Sequence, residues 1–455
     1  MKQIKYLLGR ERVHDVIREQ RENRSPGRAP GAPGLNCLVL GGGGREYAIA
    51  WRLARCDSVA TIDVVPGNAG MDLFARRLEF DPTDHHRLEQ HVLASFTDLA
   101  VIGTDEYVEA GLADVLRRAR VSVVGPSREA GRIEWSKSFA KELMAAAGVP
   151  TASWERFASA ADARAAVERR REGPLVVKAD GLAAGKGVVV AADRAHALEA
   201  LGTPPISGGP VVLEEALTGP EASLQALVDG KTVVALPPAQ DHKRVGEGDT
   251  GPNTGGMGAF SPTPVLPDDE AADAATELIA PVARRLAELG TPFRGVLYAG
   301  LIRTAAGWRV LEYNARFGDP EAQVTLPRVG GDFAKVLAAL AEGRLAEFVR
   351  EHPLRFSERA YVDVALCAEG YPGPPRTGQP IEVGDLPDGV YAFHAATRRS
   401  GDAIVTAGGR VMHIVAGGDT VADARARAYA AAERVRFAGK FYRSDIAAEG
   451  VGITG

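Results

Sequence analysis

Leu311-Glu312-Tyr313-Asn314-Ala315-Arg316-Phe317-Gly318-Asp319-Pro320-Glu321 is the stretch from which the rest of the chain can be ordered. With Trp308-Arg309-Val310 before it, its first half is an apolar, β-prone run, and a strand alternates its side chains with period two. Glu312 and Asn314 are therefore expected on one sheet face. A carboxylate and an amide carbonyl are hard oxygen donors, and the pair leaves most of an octahedral Mg²⁺ shell to phosphate oxygens and water. Arg316, Asp319 and Glu321 follow on a Gly-Pro turn beside that position. An isolated Glu-x-Asn is more often a solvated strand end. Three further nucleotide-type stretches upstream, in a sensible order, favour the functional reading.

The totals narrow the classes. A length of 455 residues suggests about three domains of ordinary size, and 45% apolar residues is a globular composition. Lys plus Arg (54) nearly balances Asp plus Glu (59), a formal net charge of −5, so nothing global attracts nucleic acid or an anionic membrane. Any anion site must be local. Cys37, Cys56 and Cys367 lack zinc or redox spacing and are too few for a disulfide scaffold, which suits a reducing cytoplasm. No apolar run reaches bilayer length. Residues 1–34 stand apart as a basic segment followed by a Pro-Gly-Ala linker, and are expected to be a disordered extension.

From Leu38-Val39-Leu40 the chain passes into Gly41-Gly42-Gly43-Gly44-Arg45-Glu46 and then a helical stretch, 48–55. Such a loop lets backbone N–H groups and a helix N-terminus approach a phosphate without Cβ obstruction. A dinucleotide fold would place an acidic residue at the end of the second strand. That strand, 59–65, ends instead in Pro66-Gly67-Asn68-Ala69-Gly70, which argues against NAD and for a second polar loop at the same crevice. A third strand, 99–102, delivers Gly103-Thr104-Asp105-Glu106 to the same edge, and 121–124 closes the unit.

Ser136-Lys137-Ser138-Phe139-Ala140-Lys141 opens a helix with Phe139, Leu143 and Ala147 at helical spacing, ended by Gly148 and Pro150. Lys137 and Lys141 fit a phosphate site and a solvated helix face equally well. Pro174-Leu175-Val176-Val177-Lys178 is a strand, 179–187 a glycine loop containing Gly185, Lys186 and Gly187, and 188–191 the returning strand. The spacing is not that of a Walker loop. It describes a hairpin lid over phosphates with Lys178 beneath; a merely structural Lys178 among valines would need a partner. Val211-Val212-Leu213 leads to Glu214, Glu215 and Leu217, where a backbone edge can read adenine and Glu221 can accept from ribose hydroxyls. Asp241-His242-Lys243-Arg244 and the glycine-rich run through Pro262 describe a loop that clamps an anion. Beyond Pro353 lie short β-like runs and a last helix at 420–435, with no evident chemistry.

These residues resemble the glycinamide ribonucleotide synthetase family, also called phosphoribosylamine–glycine ligases, within the ATP-grasp superfamily. The resemblance runs from about residue 35 to 441–446, and its most specific parts are 178–187, 240–262 and 316–321. It implies a multidomain α/β and α+β fold with an N-terminal parallel α/β domain (35–135), an ATP-grasp core (136–345) with a small lid (about 158–226), and a C-terminal β-rich domain (353–455). It implies ATP-dependent joining of glycine to 5-phosphoribosylamine through glycyl phosphate, a step of purine biosynthesis in the cytoplasm, by a monomer or weak homodimer. Carried over by motif, Lys137 and Lys178 hold phosphates under the 181–187 loop, Glu214, Glu215 and Leu217 line adenine, and Glu221 binds ribose. Glu312 and Asn314 hold Mg²⁺ or Mn²⁺. Arg316, His242, Lys243 and Arg244 are the candidates for stabilising glycine carboxylate and acyl phosphate. Gly43, Gly44, Arg45, Glu46, Asn68, Asp105, Asp319 and Glu321 are the candidate substrate-binding residues.

Two stretches depart from the family's pattern. Its glycine loop continues Arg-Glu-His where this chain has Arg45-Glu46-Tyr47, and its Gly-Pro-Glu-x-Pro-Leu is Gly103-Thr104-Asp105-Glu106-Tyr107-Val108 here. Both fall on the expected amine-acceptor side. An amide ligase serving a different amine is therefore a second reading, a nucleotide-binding module without catalysis a third. Intact Lys178, Lys186, Glu312 and Asn314 weigh against the third.

Overall fold

Leu38, Val39 and Leu40 are apolar on both sides of their strand, which suits a strand covered on both faces, and Leu35–Gly41 is the middle strand of a five-stranded parallel sheet. The order is Arg76–Arg77, Val59–Pro66, Leu35–Gly41, Leu99–Ile102, Ser122–Val124. The chain builds outward on one side of Leu35–Gly41 and then crosses to the other. Such a switch point opens a crevice at the carboxyl ends of the strands. The glycine run gathers there, with Gly67 N donating to Gly41 O (3.2 Å) and Gly103 N to Leu40 O (2.8 Å). The computed structural model describes residues 34–181 and 187–452; the extension through residue 33, and Gly185 and Lys186 of the expected lid loop, lie outside the described residues.

The helix after the glycine run begins at Gly44 and ends at Leu53, earlier at both ends than its apolar pattern suggested. Glu46 Oε2 accepts from Gly43 N at 2.6 Å and so caps the first turn from within the glycine run itself. The next site helix, Lys137–Ala147, starts at Ser136, whose Oγ accepts from Phe139 N, and stops at Gly148 with φ +70°, a conformation only glycine takes without strain.

The hairpin expected from 175–191 forms: Leu175–Ala179 pairs antiparallel with Val188–Ala191 and, on its other side, with Val211–Glu215, beyond which lies Trp154–Phe157. Helices Ala160–Arg169 and Arg194–Leu201 cover one face of this sheet, and Val177, Leu213, Ala163 and Ala197 make a core of its own. The third sheet is antiparallel, in the order Val233–Ala235, Glu221–Asp229, Arg294–Thr304, Gly307–Asn314. Glu221 thus opens a strand of this sheet, opposite Ile302, and is not on the lid sheet. One apolar cluster joins this sheet to the N-terminal one, with Leu40 and Ile102 continuous with Leu143, Leu297 and Tyr313.

The C-terminal sheet orders Gln240–Asp241, Gly258–Ser261, Ala360–Cys367, Arg410–Gly418 and Val390–His394, backed by helix Val421–Ala432. Two of its strands come from the 240–262 stretch, so this sheet does not begin at residue 353. That sharing draws C-terminal side chains toward the central crevice. Among the described residues no helix is long and apolar enough to cross a membrane.

Candidate active site

Lys137, Lys141, Lys178, Glu214 and Glu312 line one pocket between helix Lys137–Ala147, the lid and the third sheet, closed by apolar Ile133, Met144 and Leu311. Lys137 Nζ donates to the carbonyl of Glu134 at 2.9 Å. Lys141 is 2% exposed, not on a solvated face: its Nζ lies 2.8 Å from Glu214 Oε2 and 2.7 Å from Thr151 Oγ1. Burial and then the neighbouring Lys178 push its ammonium down to about 8, against the pull of Glu214. Lys178 Nζ stands 2.9 Å from Glu214 Oε1 and donates to Leu311 O at 3.1 Å. The Glu214 carboxylate is shared by two lysines. Glu215 accepts from Ser153 Oγ (3.0 Å), and Leu217 follows the strand half-buried.

Glu312 and Asn314 do share a face, opposite Gly300 and Tyr298 of the neighbouring strand. Burial alone would raise the Glu312 carboxyl, but Lys137, Lys178, Lys243 and Arg316 outweigh it and hold it down at about 2. It is an ionised oxygen donor at any physiological pH. Asn314 Oδ1 accepts from Arg316 Nη2 at 3.1 Å and has a lone pair to spare. Among the described residues no group of three or more His, Cys, Asp or Glu could cage a metal by itself. The donor set fits a hard divalent ion that takes the rest of its shell from phosphate.

The turn after Asn314 is held by partners from distant elements. Arg316 Nη2 pairs with Glu134 Oε1 at 2.9 Å, and Glu134 Oε2 accepts from Ala315 N at 2.8 Å. Asp319 Oδ2 meets Arg410 Nη2 at 2.6 Å and its Oδ1 accepts from Gln323 Nε2 at 2.7 Å. Arg410 also donates to the carbonyls of Gly255 and Gly256. Although burial opposes it, Arg410 with Arg45 holds the Asp319 carboxyl well below the usual range. Glu321 Oε1 accepts from Ser223 Oγ (2.9 Å) and Tyr298 OH (3.0 Å). Burial, with Glu321 nearby, pushes the Asp241 carboxyl well up.

The three cationic groups of the anion loop do not act on one point. Lys243 Nζ pairs with Glu221 Oε2 at 2.5 Å, joining this loop to the first residue of strand Glu221–Asp229 of the third sheet. His242 turns away, its Nε2 3.0 Å from Glu449 and its ring against Phe260. Arg244 Nη1 donates to Gly251 O (2.8 Å) inside a hairpin that Arg443 fastens through Arg244 O and Asp249.

At the N-terminal crevice, Gly43 caps the helix and Gly44 lies against His413, where an added Cβ would come within 2.6 Å of the ring. Arg45 Nε donates to Glu46 Oε1 at 2.6 Å and Nη1 to Phe317 O at 3.3 Å. Both donors of the Asn68 amide are used: Nδ2 donates to Gly42 O and His394 O, both at 2.9 Å, while Oδ1 accepts from Gly70 N. Asp105, half-buried at the start of helix Asp105–Glu109, sits in the field of Arg316 and Glu134. Tyr47 is not a crevice residue. Its ring packs on Phe74 and Phe393, 5.2 Å between centroids in each case, at the C-terminal sheet. Tyr107 packs partly against the N-terminal core.

With this geometry in place, comparison with known proteins is decisive. The phosphoribosylglycinamide synthetase N, ATP-grasp (A) and C domain models match residues 35–134, 135–322 and 361–449. The chain belongs to the phosphoribosylglycinamide synthetase family. It is 45% identical over 428 residues to the phosphoribosylamine–glycine ligase of Streptomyces coelicolor, covering 92% of this chain and all of that one. The crystal structure of the phosphoribosylamine–glycine ligase of Thermotoga maritima superposes with a TM-score of 0.77 at 33% identity, over 90% of this chain and 100% of that one. The biotin carboxylase domain of the Hydrogenobacter thermophilus 2-oxoglutarate carboxylase covers 90% of this chain and 92% of its own at a TM-score of 0.68, but at 18% identity it shares the fold alone.

Within this family member, Glu134 and Arg410 reach the site without having been singled out for it by sequence reading, whereas Lys141 is weighed there beside Lys137. Lys141 carried a weak signal, one helical turn after Lys137. Glu134 and Arg410 carried none: each is a single charge whose partner lies far away in the chain, and Arg410 comes from the region that offered no evident chemistry.

Proposed function

We propose that this chain joins glycine to 5-phosphoribosylamine at the expense of ATP, forming glycinamide ribonucleotide, ADP and phosphate. The observation that carries this reading is the convergence of Lys137, Lys178 and ionised Glu312 on one pocket in a chain that its family relatives match almost end to end. ATP lies with its phosphates toward Lys137 and Lys178, and Glu221 faces the ribose. Glu312 and Asn314 hold Mg²⁺ or Mn²⁺, which supplies charge neutralisation at the phosphates. The glycine carboxylate, oriented by Arg316, attacks the γ-phosphorus; the bond to ADP breaks, and glycyl phosphate forms. The acceptor amine then attacks the acyl carbon, phosphate leaves with its oxygen, and the amine loses a proton.

Two anions must meet in the first step, so most of the acceleration comes from placing cations and dipoles in advance. A lid with its own core can open and close over the anhydride and keep water from it. The first-turn N–H groups of helix Gly44–Leu53 have no intrahelical acceptor, and this end of the helix is where we place the sugar phosphate. Of the departures on this side, Tyr47, Tyr107 and buried Val108 are accounted for by packing and Thr104 by capping its helix, its Oγ1 accepting from Tyr107 N, which leaves Asp105 as the residue that bears on the acceptor. The reaction is placed in the cytoplasm, with one chain or a weak dimer as the working unit.

The test is ATP turnover by the purified protein with Mg²⁺ and glycine, with and without freshly generated 5-phosphoribosylamine. Phosphate release that needs both, with glycinamide ribonucleotide identified by mass, is expected. Turnover only with another amine would move the chain to a different amide ligation, and binding without turnover would reduce it to a nucleotide-binding module.

A further inference from the structure

Glu214 is a buried carboxylate shared by two lysines, and its two contacts are unequal. Toward Lys141 the geometry is that of an aligned hydrogen bond, 2.8 Å to Oε2, and Thr151 Oγ1 at 2.7 Å fixes the same ammonium. Thr151 is itself anchored, donating to Val310 O at 2.6 Å. Toward Lys178 the separation is 2.9 Å, yet Glu214 Oε1 receives no aligned hydrogen bond from the described residues. Lys141 is built into the wall of the pocket. Lys178 is held to Glu214 by charge alone, and among the described residues its one aligned donation is to a strand carbonyl, Leu311 O.

We infer that Lys141 is a positioning residue that frees Lys178 for the nucleotide. Lys141 neutralises Glu214 and pins it to helix Lys137–Ala147. Lys178 can then leave Glu214 for a phosphate oxygen without stranding a buried carboxylate. Stranding one would be expensive, since an uncompensated buried charge costs several kcal/mol. With an apolar side chain at position 141, Glu214 would hold Lys178 back, and each ATP that bound would have to break that pair. The assignment rests on the reading of this pocket as the ATP site.

The experiment is calorimetric titration of full-length wild type, K141M, K141M/E214Q and K141R with MgATP, each checked by thermal melting. K141M should bind ATP at least about tenfold more weakly than wild type. Neutralising the trap in K141M/E214Q should restore most of that loss, a non-additivity that a merely structural lysine would not produce. K141R, which keeps the cation, should restore part of it. K141M affinity within about twofold of wild type, or a double variant no tighter than K141M while both melt as folded proteins, overturns the inference. Should K141M fail to fold, Thr151→Val loosens the same ammonium more gently; a severalfold weaker ATP complex supports the inference and an unchanged one overturns it. Wild type that binds no ATP would bring down the functional reading itself, which the wild-type titration shows separately.

Discussion

The lid pocket and the glycine-run crevice are built on opposite principles. In the pocket, charges stand in excess of what the fold uses: Lys137, Lys178 and ionised Glu312 keep capacity that a ligand could take up. In the crevice the side chains have largely spent theirs on one another. Asn68 staples Gly42 to His394, Arg45 is tied to Glu46 and Phe317, and Asp319 is held by Arg410. What remains there for a ligand is mostly backbone. The difference teaches that a site for a highly charged, metal-bound group is recognisable by surplus charge, whereas a site that presents N–H dipoles is recognisable by the rigidity of its supports.

The comparison can be broken first where its effect is largest. Glu312→Gln removes the ionised donor and should lower kcat by about a thousandfold in the phosphate-release assay with little change in melting temperature. On the other side, Arg410→Met leaves Asp319 buried without its cation and releases the 255–256 carbonyls. It should destabilise the protein by about 3 kcal/mol in denaturant titration, and raise KM for the amine acceptor far more than KM for ATP. Equal increases in both would erase the division between the two regions.

A pH experiment sharpens the same boundary. Burial depresses His394 from 6.5 to about 4, so the unfolded chain binds that proton more readily. The stability it contributes is complete above pH 6.5 and is lost as pH falls to 4, on the order of 3 kcal/mol in all. His394→Gln should flatten that part of the stability profile relative to wild type, read as the difference between the two proteins. The smallest effect is expected at Tyr47→Phe. The ring contacts with Phe74 and Phe393 survive, so stability should change by less than about 0.5 kcal/mol and acceptor KM should hold. A large rise in acceptor KM would return Tyr47 to the crevice.

Much of the pocket was legible in advance because its signals are local. Period-two alternation put Glu312 and Asn314 on one face, a valine strand and glycine loop described the hairpin around Lys178, and the four-glycine run marked the carboxyl edge of the parallel sheet. What was not legible shares a cause as well. His242, Lys243 and Arg244 are consecutive and seemed one cluster by sequence, but they diverge to Glu449, Glu221 and Gly251. Asn68 sits on a polar loop at the right edge, and only the packed structure shows that both its amide donors are taken by backbone carbonyls.

The sequence by itself determined which residue types line the strands and loops of each unit, because side-chain period and turn chemistry act over a few residues. Tertiary structure decided the partners. Glu214 finds Lys141 from 73 residues away, Asp319 finds Arg410 from 91, and two strands of the 240–262 stretch complete the C-terminal sheet. A charge states its sign locally, but its counter-charge is selected by burial, where leaving any one of them alone costs more than the fold can bear.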